Sequence, residues 1–132
     1  MVLLKKTCRK LKKIERDLLK MCRKKYVILA KTYDKRGRLL SVGLNDYNRS
    51  HPYMAYLSAK VGLPEKQYLH AEVLACLRSK EKKIHKLTVE RYNQDGSPAL
   101  AKPCLVCQEC IKAYGVKVLE YTSSEGWVKE IL

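Results

Sequence analysis

The sequence predicts an α/β domain, built as a five-stranded mixed sheet flanked by helices, with the last two strands antiparallel. Three observations lead there. Apolar spacing switches along the chain between the helical period and the two-residue period of strands, in the order helix, two strands, helix, strand, helix, two strands. Only a few residues separate "VKVLEYT" from "WVKEIL", too few for a crossover helix, so that pair must run antiparallel. The length of 132 residues is one domain's worth, enough to bury a single core without staples, and no repeat or interior linker divides residues 1–132.

Each element has its own signal. Residues 3–24 place Leu4, Cys8, Leu11, Ile14, Leu18 and Cys22 at three- and four-residue intervals, one apolar stripe with lysines and arginines on the other faces. "YVILAKTY", "DKRGR" and "LLSVGLN" read as strand, turn and strand. The polar stretch "DYNRSHP" reads as a loop, followed by a short helical piece near 53–61 that stops around Gly62 and Pro64. "HAEVLACLRSK" is a helix with Ala71, Leu74, Ala75 and Leu77 available for packing. "KLTVERY" is a strand, and "NQDGSPALAK" a turn-rich loop. A helix is predicted from about Cys104 to Tyr114, ended by Gly115, and the final hairpin turns at "SSEG".

A net charge of +15 is high for this size, and residues 1–25 contribute +9 of it, with eleven Lys/Arg against Glu15 and Asp17. That asymmetry points to a polyanionic partner, nucleic acid or an acidic surface, with a solvated helix face as the plainer alternative. "MVLLKKTCRK" lacks the apolar core and cleavage site of a signal peptide, and no run approaches the roughly 18 apolar residues of a bilayer span. The expected setting is therefore cytoplasmic, with no membrane partner. There, six cysteines point to metal or free thiols rather than disulfides.

"KPCLVCQEC", residues 102–110, offers three cysteines at a strict three-residue spacing after a proline. A redox pair, a metal site and buried thiols all fit that spacing. A thioredoxin-like pair follows an early strand, whereas this one lies in the last third of the chain. "HAE" at residues 70–72 heads another helix and supplies the missing partner. Catalytic zinc takes three protein ligands and leaves one position for water, and His70, Cys104 and Cys107 supply three of suitable softness. Glu72 then sits beside the metal without binding it. First helical turns present partial positive charge, which lowers thiolate pKa values, and Pro103 suits a helix start. Cys110 lies one turn beyond Cys107 and reads as a small core side chain, as do Cys8, Cys22 and Cys76. His85 has no partner spacing.

His-x-Glu followed by Pro-Cys-x-x-Cys is the signature of the zinc nucleobase deaminases. In these motifs and in element order from about residue 25 onward, the chain resembles the cytidine deaminase-like superfamily, in its division with a C-terminal β-hairpin. The resemblance implies a three-layer fold and Zn²⁺ as the cofactor, held by His70, Cys104 and Cys107. It implies hydrolysis in which water replaces the amine at C4 of cytosine to give uracil, with Glu72 as general acid and base. It also implies substrate contacts from Asn45, at the sugar or base, from Ala71, and from Tyr121, which follows the fourth strand. His51 and Tyr47, in the loop after Asn45, are placed to stack on a base or touch phosphate. For Trp127 core packing is the expectation.

The final hairpin departs from the tRNA adenosine deaminases, the deoxycytidylate deaminases and the vertebrate DNA-editing enzymes, which place a helix between the fourth and fifth strands. It agrees with free-nucleoside cytidine deaminases and bacterial toxin-type deaminases. A histidine ligand resembles the toxin-type and editing branches. The expectation is therefore a cytosine deaminase acting on a cytosine-containing nucleic acid, single-stranded DNA or RNA. The alternatives are a deaminase of free cytidine or deoxycytidine nucleosides or nucleotides, an adenine deaminase, and a non-catalytic nucleic-acid-binding module whose zinc is structural.

Overall fold

The computed structural model describes residues 27–63 and 68–132. The basic helix expected over residues 3–24, with Cys8 and Cys22, lies outside the described residues, as does Pro64. The elements are β1 (Ile28–Tyr33), β2 (Leu39–Leu44), β3 (Asp46–Ser50), α1 (Pro52–Lys60), β4 (Tyr68–Leu69), α2 (Ala71–Arg78), β5 (Lys86–Arg91), α3 (Leu105–Ala113), β6 (Val118–Ser123) and β7 (Gly126–Ile131). Five strands form one mixed sheet in the order β2-β1-β5-β6-β7. Only β5 and β6 run parallel, and α3 lies in the connection that a parallel pair requires. The hairpin β6–β7 is antiparallel with a continuous register from Val118↔Ile131 to Ser123↔Gly126, as its short turn demands.

Strand alternation gives the sheet two different faces. Ala30, Leu87, Val89, Leu119 and Tyr121 share one face and join Met54, Leu57, Val73, Ala75, Val106 and Ile111 of the three helices in the main core. Val27 and Leu29 are buried on the other face against Val42, Leu44 and Tyr92. That second face also buries an ion pair, Lys31 Nζ to Glu90 Oε1 at 3.3 Å, with the Tyr92 hydroxyl donating to Glu90 Oε2 at 2.9 Å. A cation and a carboxylate are tolerated there because each has the other as partner.

Two features seat α2, and with it the site. Gly43 in β2 lies directly under the helix, where an added Cβ would meet Ala71 O at 2.5 Å and Ala75 N at 2.8 Å. Only a glycine lets the backbones approach this closely. Farther along, the hydroxyl oxygens of Thr32, Ser41 and Ser79 lie 2.5–2.9 Å from one another, with Ser41 and Ser79 each placed to donate to Ala75 O and Thr32 to donate to one of the two serines. These buried hydroxyls satisfy one another and fix the height of α2 over the β1–β2 hairpin.

Two expectations are corrected. Residues 46–50, read as loop, form strand β3, which pairs antiparallel with β4 in a separate ribbon through Asp46↔Leu69 and Ser50↔Tyr68. Four of its five residues are exposed, so no apolar alternation marks it. Trp127, expected in the core, is 54% exposed. It lies opposite Thr122, on the sheet face turned away from the three helices, where β7 is the edge strand.

Candidate metal centre

The site is assembled from the N-terminal ends of two neighbouring helices. His70 is the N-cap of α2 with extended backbone, and its side chain makes no capping bond. The ring is thus directed away from its own helix, toward α3. Cys104 holds the same position on α3, again extended and again without a side-chain capping bond. Cys107 is the third residue of that helix and is fully buried. The loop before α3 is fixed by hydrogen bonds: Ala101 N donates to Thr122 O, the Thr122 hydroxyl donates to Ala99 O, and Gln108 Nε2 donates to Pro103 O, each at 2.8–2.9 Å.

Three donor atoms converge. His70 Nδ1 is 3.3 Å from Cys107 Sγ and 3.6 Å from Cys104 Sγ, and the ligand atoms of all three residues lie within 4.8 Å of one another. Zn–S bonds of about 2.3 Å and Zn–N bonds of about 2.0 Å at tetrahedral angles require N···S separations of about 3.5 Å. The spacing, the two soft sulfurs and the imidazole therefore fit zinc, and His70, Cys104 and Cys107 lie close enough to hold a metal ion. Cys110 is fully buried one turn farther on and is not part of the cluster.

The protonation pattern suits the same reading. A hydrogen bond from Cys107, with the His70 ring beside it, holds the Cys104 thiol down to about 3 despite partial burial. That hydrogen bond, burial and the carboxyl of Glu72 push Cys107 well above the usual thiol range. Cys104 is thus the readier thiolate of the two, and a divalent cation would displace the proton that Cys107 holds. Nδ1 faces the sulfurs, while Nε2 is buried with no hydrogen-bond partner among the described residues.

Glu72, the second residue of α2, is only 4% exposed. Burial pushes its carboxyl above the ordinary carboxylate range, against the opposing effect of hydrogen bonds from its own backbone N–H and from Cys107. An acid group with a raised proton affinity thus stands beside the three donors without being one of them.

The structure also places the remaining candidates. Ala71 is fully buried and seats against Gly43. Asn45 follows β2, where its Oδ1 accepts from Ile28 N at 2.9 Å and its backbone N–H donates to Ile28 O. His51 is the exposed N-cap of α1, its Nδ1 accepting from Tyr53 N at 3.1 Å. Tyr121 lies in the core on β6, and its hydroxyl donates to Glu130 Oε1 at 3.4 Å.

One residue escaped sequence reasoning. The Tyr68 ring stacks on the His70 ring at 4.4 Å with an interplanar angle of 22°, and Tyr47 lies against Tyr68 at 4.7 Å. Burial, followed by the effects of Tyr47, Cys104, Cys107 and Glu72, raises the Tyr68 pKa, which puts its hydroxyl within reach of the donor cluster's field. The signal was present: in extended chain, residues two apart share a side, so an aromatic two places before His70 must flank it.

In sequence the chain matches no protein-family model and no curated protein.

Proposed function

We propose that this protein is a zinc-dependent hydrolytic deaminase of the cytidine deaminase-like superfamily, converting cytosine to uracil in a cytosine-containing nucleic acid. The observation that carries this reading is Glu72, a buried carboxyl with raised proton affinity next to the three-donor cluster. A purely structural zinc site has no use for such a group, whereas a hydrolase needs a proton carrier whose pKa lies nearer neutrality than an ordinary carboxylate.

His70, Cys104 and Cys107 would hold the ion as three protein ligands. Bound there, zinc supplies a Lewis acid that makes water nucleophilic near neutral pH. Glu72 takes a proton from the attacking water and delivers it to the ring nitrogen, then carries the second proton, from the new hydroxyl at C4, to the departing amine. The water oxygen adds at C4, the C4–N bond breaks, and ammonia leaves. Burial of Glu72 excludes bulk water, which would otherwise compete for that proton. The polymer as substrate is supported by the net charge of +15 and its concentration in residues 1–25.

The test incubates zinc-loaded protein with cytidine, cytidine monophosphate, single-stranded DNA and RNA, with product mass and released ammonia as readouts. Uracil in a polymer, at a rate lowered about 10²- to 10⁴-fold by Glu72→Ala with zinc retained, is expected. Product from cytidine alone would transfer the reading to a free-nucleoside enzyme. No product from any cytosine substrate, or a Glu72→Ala variant within about tenfold of wild type, would sink it.

A further inference from the structure

The β3–β4 ribbon is unusual for a two-stranded element, because its ladder is broken where it approaches the metal centre. Asp46 pairs with Leu69 and Ser50 with Tyr68, so three residues of β3, Tyr47, Asn48 and Arg49, bulge out opposite a single step of β4. The Asp46 carboxylate accepts from Asn48 N at 2.9 Å and shapes the bulge. Bulges re-aim side chains, and they are frequent beside active sites. Here the bulge lays Tyr47 against Tyr68, which in turn stacks on His70. The result is a ladder of three rings leading from a metal-ligating residue to the surface. Its outermost member, Tyr47, is 44% exposed, and Arg49 beside it is exposed as well.

A large ring left in water at the end of an aromatic stack gains nothing for the fold beyond its inner face. Its outer face suits a planar ligand, and a cation two residues away suits the phosphate attached to it. Nucleobases meet both demands, since single strands bind through aromatic platforms flanked by positive charge. A free nucleoside at the metal centre would not need a second ring site at the surface, whereas a strand threading past the centre must place its neighbouring base somewhere. The chain's net charge of +15 favours the same class of ligand.

We infer that Tyr47, supported by Tyr68, is a stacking platform for a base adjacent to the target in a single-stranded polynucleotide, with Arg49 at its phosphate. The assignment rests on the proposed deaminase reading for what happens at the centre, and it deepens that reading by naming the substrate as a strand. Stacking positions the polymer; Tyr47 touches no reacting atom.

The experiment uses the full chain carrying Glu72→Ala, so that the ligand is not consumed, and fluorescein-labelled cytosine-containing oligomers of DNA and of RNA in separate arms. Fluorescence anisotropy reads binding, and metal analysis with thermal melting checks the fold. Tyr47→Ala should weaken oligomer binding at least about fivefold, while Tyr47→Phe should restore it because the ring face is kept. Tyr47→Leu covers Tyr68 without an aromatic face and should bind as poorly as the alanine variant, which separates stacking from loss of cover. Arg49→Gln should weaken binding and lower the salt-dependence slope by about one. On the otherwise wild-type chain, the ratio of polymer to cytidine turnover should fall about fivefold with Tyr47→Ala. Binding within about twofold for both the alanine and leucine variants, in both arms, overturns the platform even if deamination is observed. Absence of any deaminated product overturns the reading of the centre, and the anisotropy arms still decide the platform.

Discussion

Cysteines meet at two levels where α2 and α3 pack together, and the two levels behave in opposite ways. At the helix N-terminal ends, Cys104 and Cys107 face His70 Nδ1 at 3.6 and 3.3 Å, and the Cys104 thiol is held down to about 3. One turn deeper, Cys110 hydrogen-bonds with Cys76, and that bond together with burial pushes Cys76 far above the usual thiol range. Both deeper cysteines are fully buried. All four residues are cysteines, so residue type does not explain the difference. Position does: the upper pair sits where helix N–H groups are unpaired and a histidine can enter from the neighbouring helix, while the lower pair sits in apolar core. A Cys-x-x-Cys-x-x-Cys run is thus split by its helix into two donors and one packing residue.

The contrast is open to attack at several points. The largest effect expected is on metal retention: Cys107→Ala should lose a hundredfold or more in zinc affinity, whereas Cys110→Ala should stay within about threefold of wild type. Competition with a chelating dye measures both, and zinc loss on replacing Cys110 would mean that the two levels are not distinct. Next comes Gly43→Ala, which forces a methyl group into Ala71 O and Ala75 N. It should destabilise the fold by about 1–3 kcal/mol in urea melts. Because the helix must lift, zinc affinity should fall with it, more than for a core variant of equal stability.

Smaller, and confined to the lower level, is the packing role of the deep pair. Cys110→Ala should cost about 1–2 kcal/mol through the cavity left between Cys76 and its neighbours, with no change in metal content. An unchanged melt would show that this level is loosely packed. A separate effect concerns pH and has opposite signs at the two levels. For Cys104, whose pKa in the metal-free fold is depressed from 9.0 to about 3, the stabilising contribution is complete above pH 9 and lost as pH falls through 3. For Cys76 the pKa is raised, so its contribution is complete below pH 9 and is lost only at still higher pH. Metal-free wild type should therefore gain on Cys104→Ala between about pH 4 and about pH 8, while its margin over Cys76→Ala stays flat. Parallel pH dependences in the two comparisons would contradict the assignment of one ionised and one neutral level.

Much of this was readable in advance. The five strands of the main sheet, the antiparallel final hairpin, and the extents of α1, α2 and α3 all follow from periodicity, turn residues and Gly115, whose φ of +68 closes α3 as expected. His70, Cys104 and Cys107 were identifiable because metal ligation demands few residue types at narrow spacings. β3 was not, since its exposed polar residues carry no alternation and its partner β4 is only two residues long. Trp127 is exposed despite its apolar ring, because its position on an edge strand leaves it open on the face away from the helices.

The sequence by itself determined the class of fold, the positions of the helix starts and the chemical identity of the donors, because these depend on local periodicity and on what each side chain can bind. Only the tertiary structure decided how close α2 rests on Gly43, and that Tyr68 and Tyr47 stack outward from His70. Those outcomes depend on distances between segments far apart in the chain. Such distances arise from packing density and from the height at which one helix sits on a sheet, quantities that no stretch of residues carries alone.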